Sequence, residues 1–312
     1  MNSKRRSTLI GAVVTMPTFC DANYNLLLEK QRKHINWLIE NGMVEGNGVL
    51  LIAGGAGEGY FLNDTEWEKL VNLLPEVSQG RVPTMAGIYE TSARKAAQKA
   101  KYASKAGIDF LQVGPPHYMT PSDNNILGFY EMINDSTDIG IMAYNTPWAI
   151  PGGLDFSESV LEKLVGLENM DGIKWYCGDI KQYFATFDSF GKQINFIDNH
   201  SPNLVGMSIG MAGFVDLKCN VAPKLTLKKW DLIKRNQFEE LRKLQSPLDQ
   251  IDAAVQSNDM GEGPAAQLRL KSMGLNTGPC FPSQTQPSPE DFERVGQAVN
   301  DSGILEWCEW QE

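Results

Sequence analysis

The amino-acid sequence predicts a (β/α)8 barrel, a TIM barrel, with a C-terminal helical extension. Over about the first 220 residues, eight short apolar and β-branched runs alternate with segments of helical period. Runs that are apolar on both faces are typical of parallel strands covered by helices, and eight of them indicate a closed barrel. An open doubly wound sheet is the alternative, but no G-x-G-x-x-G motif follows the first run.

The eight predicted strands span residues 9–16, 48–54, 82–88, 110–116, 139–145, 171–176, 194–199 and 213–220. The first resembles a signal peptide because a basic stretch precedes it, but Pro17 interrupts the apolar run and no small-residue cleavage site follows. We therefore expect a strand there. The helix after the second strand has a clear start, since Asn63 and Glu66 form a capping-box pattern.

The alternation ends after Asn220, and the rest of the chain is helical in period. Two helical stretches, 223–256 and 288–305, are separated by a proline-rich segment. We expect residues 1–222 to form the barrel that carries the active site. Residues 223–312 are then a helical region packed on that barrel.

The composition is typical of a soluble globular protein and excludes several kinds of function. Of the 312 residues, 42% are hydrophobic and 21% are charged, and the net charge of -10 disfavours binding to nucleic acid. The five cysteines form no CxxC pair and the three histidines lie far apart, so no disulfide framework or zinc site is expected. No apolar stretch approaches the length of a membrane span. We expect a cytoplasmic enzyme with reduced thiols.

The candidate catalytic residues are Lys174 and Tyr144, on neighbouring predicted strands. Active-site residues of such barrels lie at the carboxyl ends of the strands, where these two side chains could meet. A lysine that is removed from water has a lowered pKa, and its neutral amine can form a Schiff base with a ketone or aldehyde. A tyrosine hydroxyl beside the imine can move protons during that cycle.

Two other interpretations of these strand ends remain open. Lys174 could be half-exposed and paired with Asp171 or Asp179. Lys218, on the eighth predicted strand, is a second candidate nucleophile, although Asp216 could neutralise it on the same strand face. At the end of the seventh strand, the segment 198–200 could bind substrate hydroxyls or cap the next helix.

Four segments in order resemble the dihydrodipicolinate synthase/N-acetylneuraminate lyase family. They are AGGAGEGYFLNDTEWEKLV with its G-x-x-G-E loop, YNTPWAIPGGLDF, GIKWYCGD and GFVDLKCNVAP. The resemblance covers nearly the whole chain. It implies a barrel with a C-terminal helical region, often tetrameric, that needs no cofactor.

The resemblance also implies roles for individual residues. Lys174 would be the Schiff-base lysine, Tyr144 the proton shuttle, and Tyr118 a residue that reaches a neighbouring subunit's active site. Backbone N–H groups near Gly55 and Ala56 would hold the carboxylate of a 2-oxo acid such as pyruvate. Val215, within the eighth predicted strand, and Asp198, near the end of the seventh, complete the predicted substrate-binding set.

The chain departs from this pattern at several positions. Gly55 and Ala56 stand where the loop usually carries hydroxyls, one of which relays protons to the tyrosine. Ala149, preceded by Trp148, stands where dihydrodipicolinate synthases have a substrate-binding arginine, and Trp175 follows the lysine. We expect a mouth lined by aromatic side chains that suits a bulkier or less charged partner, and an enzyme outside lysine biosynthesis.

Three functional classes follow. The first is a Schiff-base lyase or aldolase acting on pyruvate or another 2-oxo acid, with an aldehyde as its partner. The second is a hydro-lyase that expels water from a 2-keto-3-deoxy sugar acid, with His200 as the acid. The third is a non-catalytic binder of keto acids or sugar acids, which would not need both Lys174 and Tyr144.

Overall fold

A computed structural model describes residues 3–200, 204–255 and 260–310 of the chain. Its centre is a closed barrel of eight parallel strands, each hydrogen-bonded to its neighbours in sequence order. The predicted fold class is therefore confirmed. The strands are β1 Gly11–Thr15, β2 Gly48–Ile52, β3 Thr84–Ile88, β4 Phe110–Val113, β5 Gly140–Tyr144, β6 Met170–Trp175, β7 Asn195–Asp198 and β8 Gly213–Val215.

Helices surround the barrel and continue beyond it. In the described residues they are α1 Ser3–Arg6, α2 Leu28–Glu40, α3 Asp64–Ser78, α4 Ala93–Ala106, α5 Asp123–Asn134, α6 Glu158–Leu164, α7 Ile180–Phe190, α8 Leu204–Ser208, α9 Pro223–Lys234, α10 Phe238–Ala254, α11 Glu262–Ser272 and α12 Pro289–Ser302. The predicted capping box at the start of α3 is confirmed, because Asn63 and Glu66 bond each other's backbone N–H groups. None of the helices in the described ranges is long and apolar enough to cross a membrane.

The strand side chains alternate between two apolar layers. Those facing the barrel interior include Val13, Val49, Leu51, Met85, Phe110, Met142 and Ile197. Those facing outward pack against the helices in the larger core. Because the side-chain period of a strand is two, Tyr144 follows Met142 into the interior at the carboxyl end of β5. Lys174 is its register partner on β6.

Strand β8 is shorter than predicted and changes the interpretation of Lys218. The chain leaves the sheet after Val215 and makes a 3-10 turn over Lys218–Asn220. The Asp216 carboxylate accepts from the backbone N–H of Lys218 at 3.1 Å and from Lys229 Nζ at 2.8 Å, which stabilises this turn. Lys218 Nζ instead pairs with Asp252 at 2.7 Å. The predictions that Lys218 lies on the strand and is neutralised by Asp216 were wrong.

The C-terminal helices pack on the carboxyl end of the barrel, and α11 contacts the loop after β2. Glu58 of that loop is buried and accepts from the backbone N–H of Phe281 at 3.0 Å and from the side chains of Gln267 and Gln284. The approach is so close that a Cβ on Gly263 would overlap the Glu58 side chain. These contacts fix the start of α11 above the barrel mouth.

Candidate active site

Lys174 and Tyr144 lie side by side, as the sequence predicts. Both are almost fully buried, and Lys174 Nζ lies 3.8 Å from the centroid of the Tyr144 ring. Burial lowers the pKa of Lys174 to about 8, although the charge of Glu262 acts in the opposite direction. A buried lysine with this pKa is neutral in a substantial fraction of molecules at physiological pH, which a nucleophilic amine requires.

The two carboxylates considered as ion-pair partners of Lys174 are engaged elsewhere. Asp171 pairs with Arg5 of α1, and Asp179 caps α7 by accepting from the backbone N–H of Lys181 at 2.8 Å. Among the described residues, no carboxylate lies within 4.0 Å of Lys174 Nζ. The geometry therefore does not support a simple surface ion pair at this lysine.

The Tyr144 hydroxyl contacts a residue from the C-terminal region. It donates to Oε1 of Glu262, the first residue of α11, at 3.3 Å. Burial raises the pKa of Tyr144 well above its usual value, and the nearby charge of Glu262 raises it further. A free tyrosinate is therefore costly at this position, and any proton that leaves Tyr144 needs an acceptor close by.

A cavity of about 330 Å³ opens beside these residues. Its walls are largely aromatic, and few polar groups reach it, as in many small-molecule sites. The lining residues are Tyr60, Tyr89, Gly114, Pro115, His117, Tyr144, Thr146, Trp148, Ala149, Gly261 and Glu262. Lys174 is not in this lining, since its amine lies against the Tyr144 ring.

The loop expected to hold a carboxylate approaches Glu262 closely. Gly55 and Ala56 belong to the 3-10 turn Gly55–Gly57 that follows β2. A Cβ on Gly55 would overlap the Glu262 carboxylate, so a side chain at this position would displace it. The Glu262 carboxylate thus lies in the space next to position 55, where a side chain would otherwise stand.

The comparisons with known proteins identify the family. The model of the dihydrodipicolinate synthetase family matches residues 7–300. The chain belongs to the dihydrodipicolinate synthetase family. The predicted enzyme class, a lyase that forms a lysine Schiff base, is confirmed by this membership.

The relatives include synthases from several organisms. The 4-hydroxy-tetrahydrodipicolinate synthase of Methanosphaera stadtmanae is 29% identical over 278 residues, which covers 86% of this chain and 90% of the relative. The synthase of Clostridium perfringens strain SM101 is 29% identical over 69% of this chain and 71% of its own.

Solved structures of the family share the fold. The dihydrodipicolinate synthase of Acinetobacter baumannii, solved with pyruvate, matches 95% of this chain and 100% of its own with a TM-score of 0.85 and 22% identity. The wild-type sialic acid aldolase of Ruminococcus gnavus matches 96% of this chain and 98% of its own, with a TM-score of 0.84 and 18% identity.

The structure places the remaining predicted positions in different surroundings. Trp148 and Ala149 line the cavity, so neither of these two positions brings a positive charge to it. Tyr118 lies on the loop after β4 with 80% of its surface exposed, outside the cavity lining. Val215 lies at the carboxyl end of β8 and packs against the interior apolar layer.

Asp198 does not reach the cavity, which corrects its predicted substrate-binding role. The side chain is fully buried, and its carboxylate accepts from Tyr183 Oη at 2.8 Å and from the backbone N–H groups of His200 and Gly206 at 2.9 and 3.0 Å. Burial raises the pKa of Asp198 to about 7. These bonds connect the end of β7 to α7 and α8. This arrangement agrees with the second interpretation of the segment 198–200, in which it caps the next helix.

The structure also bears on the expected roles of Trp175 at the cavity mouth and of His200 as an acid. Trp175 points outward into the core, where it contacts Phe196, because it follows the inward-facing Lys174. It therefore contributes nothing to the mouth. His200 places Nε2 3.0 Å from the carbonyl oxygen of Cys177 and stacks on Tyr176 at 4.6 Å, behind the residues that line the cavity.

The sequence interpretation missed three residues of the site: Glu262, Tyr60 and Tyr89. Tyr60 lies two residues after the G-x-x-G-E loop, and Tyr89 follows β3, so both stand close to strand ends that could have been examined. Glu262 carries no such signal, because it stands on a helix of the C-terminal region. Only the packing of α11 on the loop after β2 brings it to Tyr144.

Proposed function

We propose that this protein is a Schiff-base lyase that makes or breaks a carbon–carbon bond between a 2-oxo acid and an apolar, uncharged aldehyde. The observation that carries the proposal is the buried Lys174 amine at 3.8 Å from the Tyr144 ring, beside an aromatic cavity. A binding protein does not need this pair. The hydro-lyase alternative is weaker, because Nε2 of His200, its proposed acid, lies 3.0 Å from the carbonyl oxygen of Cys177.

The reaction starts when the neutral Lys174 amine turns from the Tyr144 ring and attacks C2 of the 2-oxo acid. The carbonyl oxygen leaves as water after one proton has been taken up from solvent, and a protonated imine remains; the final hydrolysis returns that proton. Loss of a proton from C3 gives an enamine, whose C3 attacks the aldehyde carbon and forms the new bond. The aldehyde oxygen takes up a proton, and water then cleaves the imine to release the product and the free amine.

The cavity walls support an apolar aldehyde. Ala149 offers no charge to a second carboxylate, and Trp148, half-exposed at the mouth, presents an aromatic face that forms an edge-on contact with Tyr144 at 5.8 Å. Tyr176 continues this surface, 5.3 Å from Trp148. An aromatic aldehyde would bury its ring against these side chains, a contact that contributes roughly 0.5–1.5 kcal/mol for each aromatic pair beyond buried area.

Borohydride reduction with a panel of 2-oxo acids tests the proposed function. We expect intact mass to show one reduced pyruvate unit for each chain. Peptide mapping should place this unit on Lys174. Labelling of another lysine, or no labelling with any 2-oxo acid, would exclude the proposal.

We expect poor activity with aspartate semialdehyde, the substrate whose carboxylate the synthases' arginine binds. Losing a charge-assisted pair in a partly desolvated site costs about a hundredfold or more in kcat/KM relative to an apolar aldehyde. Ala149→Arg should raise kcat/KM for aspartate semialdehyde and leave pyruvate trapping unchanged. The measurement is a steady-state comparison of both aldehydes with pyruvate.

A matched control distinguishes the effect of an arginine at position 149 from the effect of adding a positive charge elsewhere on the protein. Ala185 is exposed on α7 and lies outside the cavity lining, so Ala185→Arg should change neither aldehyde's kcat/KM. Efficient turnover of aspartate semialdehyde by the wild-type protein, together with growth rescue of a lysine auxotroph, would contradict this prediction.

We further propose that the protein is a cytoplasmic homo-oligomer, a dimer or tetramer, in which Tyr118 serves the neighbouring active site. Its 80% exposure, next to the exposed Met119, supports a role outside its own subunit. All five cysteines are unpaired, as in reducing compartments. Mixing Tyr118→Phe chains with Lys174→Ala chains should restore activity that neither variant has alone. A fully active monomer in sedimentation analysis would rule out this role.

A further inference from the structure

We infer that Glu262 is the proton acceptor that works through Tyr144, in place of the loop hydroxyl that the G-x-x-G-E segment lacks. This inference rests on the proposed Schiff-base function and deepens it. The carboxylate comes from the C-terminal helical region, and no barrel strand supplies it.

The contacts of Glu262 carry the inference. Oε1 accepts the Tyr144 hydroxyl at 3.3 Å, and the side-chain amide of Asn199 also bonds this hydroxyl. Of these two groups only the carboxylate can take up a proton, so the proton path from Tyr144 leads to Glu262. Glu262 also lines the cavity. Its backbone neighbour Gly263 donates to Tyr60 Oη at 3.1 Å, which holds the start of α11 against the cavity wall.

Two glycines make room for this carboxylate. A Cβ on Gly55 would overlap the Glu262 carboxylate, and a Cβ on Gly263 would overlap the side chain of Glu58. A side chain at position 55 would therefore have to push the Glu262 carboxylate away from its present place. The glycine at this position leaves the space that the carboxylate occupies beside Tyr144.

The proton steps balance with Tyr144 neutral throughout. When C3 of the imine loses its proton to the Tyr144 oxygen, the Tyr144 hydroxyl proton passes to Glu262. The positive iminium and the negative carboxylate become a neutral enamine and a neutral carboxylic acid. After the enamine attacks the aldehyde, the new alkoxide takes the Tyr144 proton, and Glu262 returns its proton to Tyr144. The proton taken from C3 thus reaches the product hydroxyl, Glu262 is again a carboxylate, and the iminium is restored, so the net charge of the site is the same at the start and the end of the sequence.

The burial of Tyr144 explains why a carboxylate is useful there. A buried phenol with a raised pKa does not hold a tyrosinate as an intermediate, so it conducts a proton only if a second group accepts at the same time. Glu262 is the carboxylate within hydrogen-bond distance of that hydroxyl in the described part of the chain.

The test measures imine formation and proton removal separately, without any aldehyde. Wild-type enzyme with pyruvate in D2O should exchange the methyl hydrogens, read by proton NMR, and should trap pyruvate on borohydride reduction. Glu262→Gln keeps the shape of the side chain but removes the base. We expect trapping, read at completion, to stay at the wild-type level, while exchange falls by about a hundredfold or more.

Glu290 provides a matched control. It stands in the first turn of α12, is exposed, and lies outside the cavity lining, so Glu290→Gln removes a comparable helix-start charge. This control should leave both trapping and exchange unchanged. In Glu262→Ala, added formate should restore part of the exchange, because a small carboxylate can enter the vacated space.

The outcomes distinguish the two proposals. Wild-type protein that traps no 2-oxo acid would remove the Schiff-base function, and the inference with it. Normal trapping with undiminished exchange in Glu262→Gln would overturn the role of Glu262 alone. Faster exchange in Glu262→Gln or Glu262→Ala would also overturn it, because the carboxylate would then act as a plug over the site.

Discussion

Lys174→Ala should abolish both borohydride trapping and turnover. The expected loss in kcat is about 10⁴-fold or more, because no other amine takes over a covalent nucleophile's role once it is removed. Lys218, the other lysine considered, is held by Asp252 at 2.7 Å in a turn outside the sheet. Lys218→Ala should therefore still trap pyruvate. Trapping in Lys174→Ala would contradict the assignment.

The initial rate of borohydride trapping should increase with pH, because the Lys174 amine must lose its proton before it reacts. Burial lowers the pKa of Lys174 to about 8, and only the unprotonated amine attacks a carbonyl. The initial rate of trapping should therefore rise with pH and level off above about pH 8. In Glu262→Gln the midpoint should move to lower pH, because the charge of Glu262 favours the protonated lysine. A rate that is flat between pH 6 and 9, about the range that brackets this pKa, would show that Lys174 is not the titrating nucleophile.

Tyr144→Phe should separate the covalent step from the proton steps. The variant keeps the aromatic ring beside Lys174 Nζ but loses the hydroxyl that donates to Glu262. We expect pyruvate to be trapped as in the wild type, while turnover falls by about two to four orders of magnitude, the usual loss for a removed acid–base group. The measurement is intact-mass trapping beside steady-state turnover.

A second tyrosine provides the control for this change. Tyr130 is buried on α5 and donates its hydroxyl to the Val113 carbonyl at 2.7 Å, outside the cavity lining. Tyr130→Phe removes one hydrogen bond and leaves the buried Val113 carbonyl without this donor, so the free energy of unfolding should fall by about 1 kcal/mol. Turnover should not fall as it does in Tyr144→Phe. Equal turnover in Tyr144→Phe and wild type would show that another group moves the proton.

The barrel and its central pair could be predicted because each depends on local patterns. The apolar runs set the strands, and the period of two places Tyr144 and Lys174 on the interior face of neighbouring strands. The sequence predicts that β8 extends to residue 220, whereas the strand ends at Val215. Asp216 accepts from the backbone N–H of Lys218 and from Lys229 of α9, and the pattern of apolar residues in a strand does not reveal contacts of this kind.

Side chains just beyond the strand ends were harder to predict. Asp198 looked like a ligand residue, yet three donors surround its carboxylate below the surface. Trp175 looked like part of the mouth, but its place one residue after an inward-facing lysine turns it to the core. Glu262 lay outside any motif, because its role depends on how α11 packs on the loop after β2.

The distance along the chain between the two halves of the site has a consequence for biosynthesis. A ribosome releases the amino-terminal residues first, so all eight barrel strands emerge before Glu262 does. Until α11 arrives, the Tyr144 hydroxyl lacks its carboxylate and Glu58 lacks its partners Gln267, Phe281 and Gln284. The nascent barrel thus carries a lysine and a tyrosine without the group that connects them to proton transfer. On the proposed mechanism, the site is complete only after α11 has been synthesised and has packed on the loop after β2.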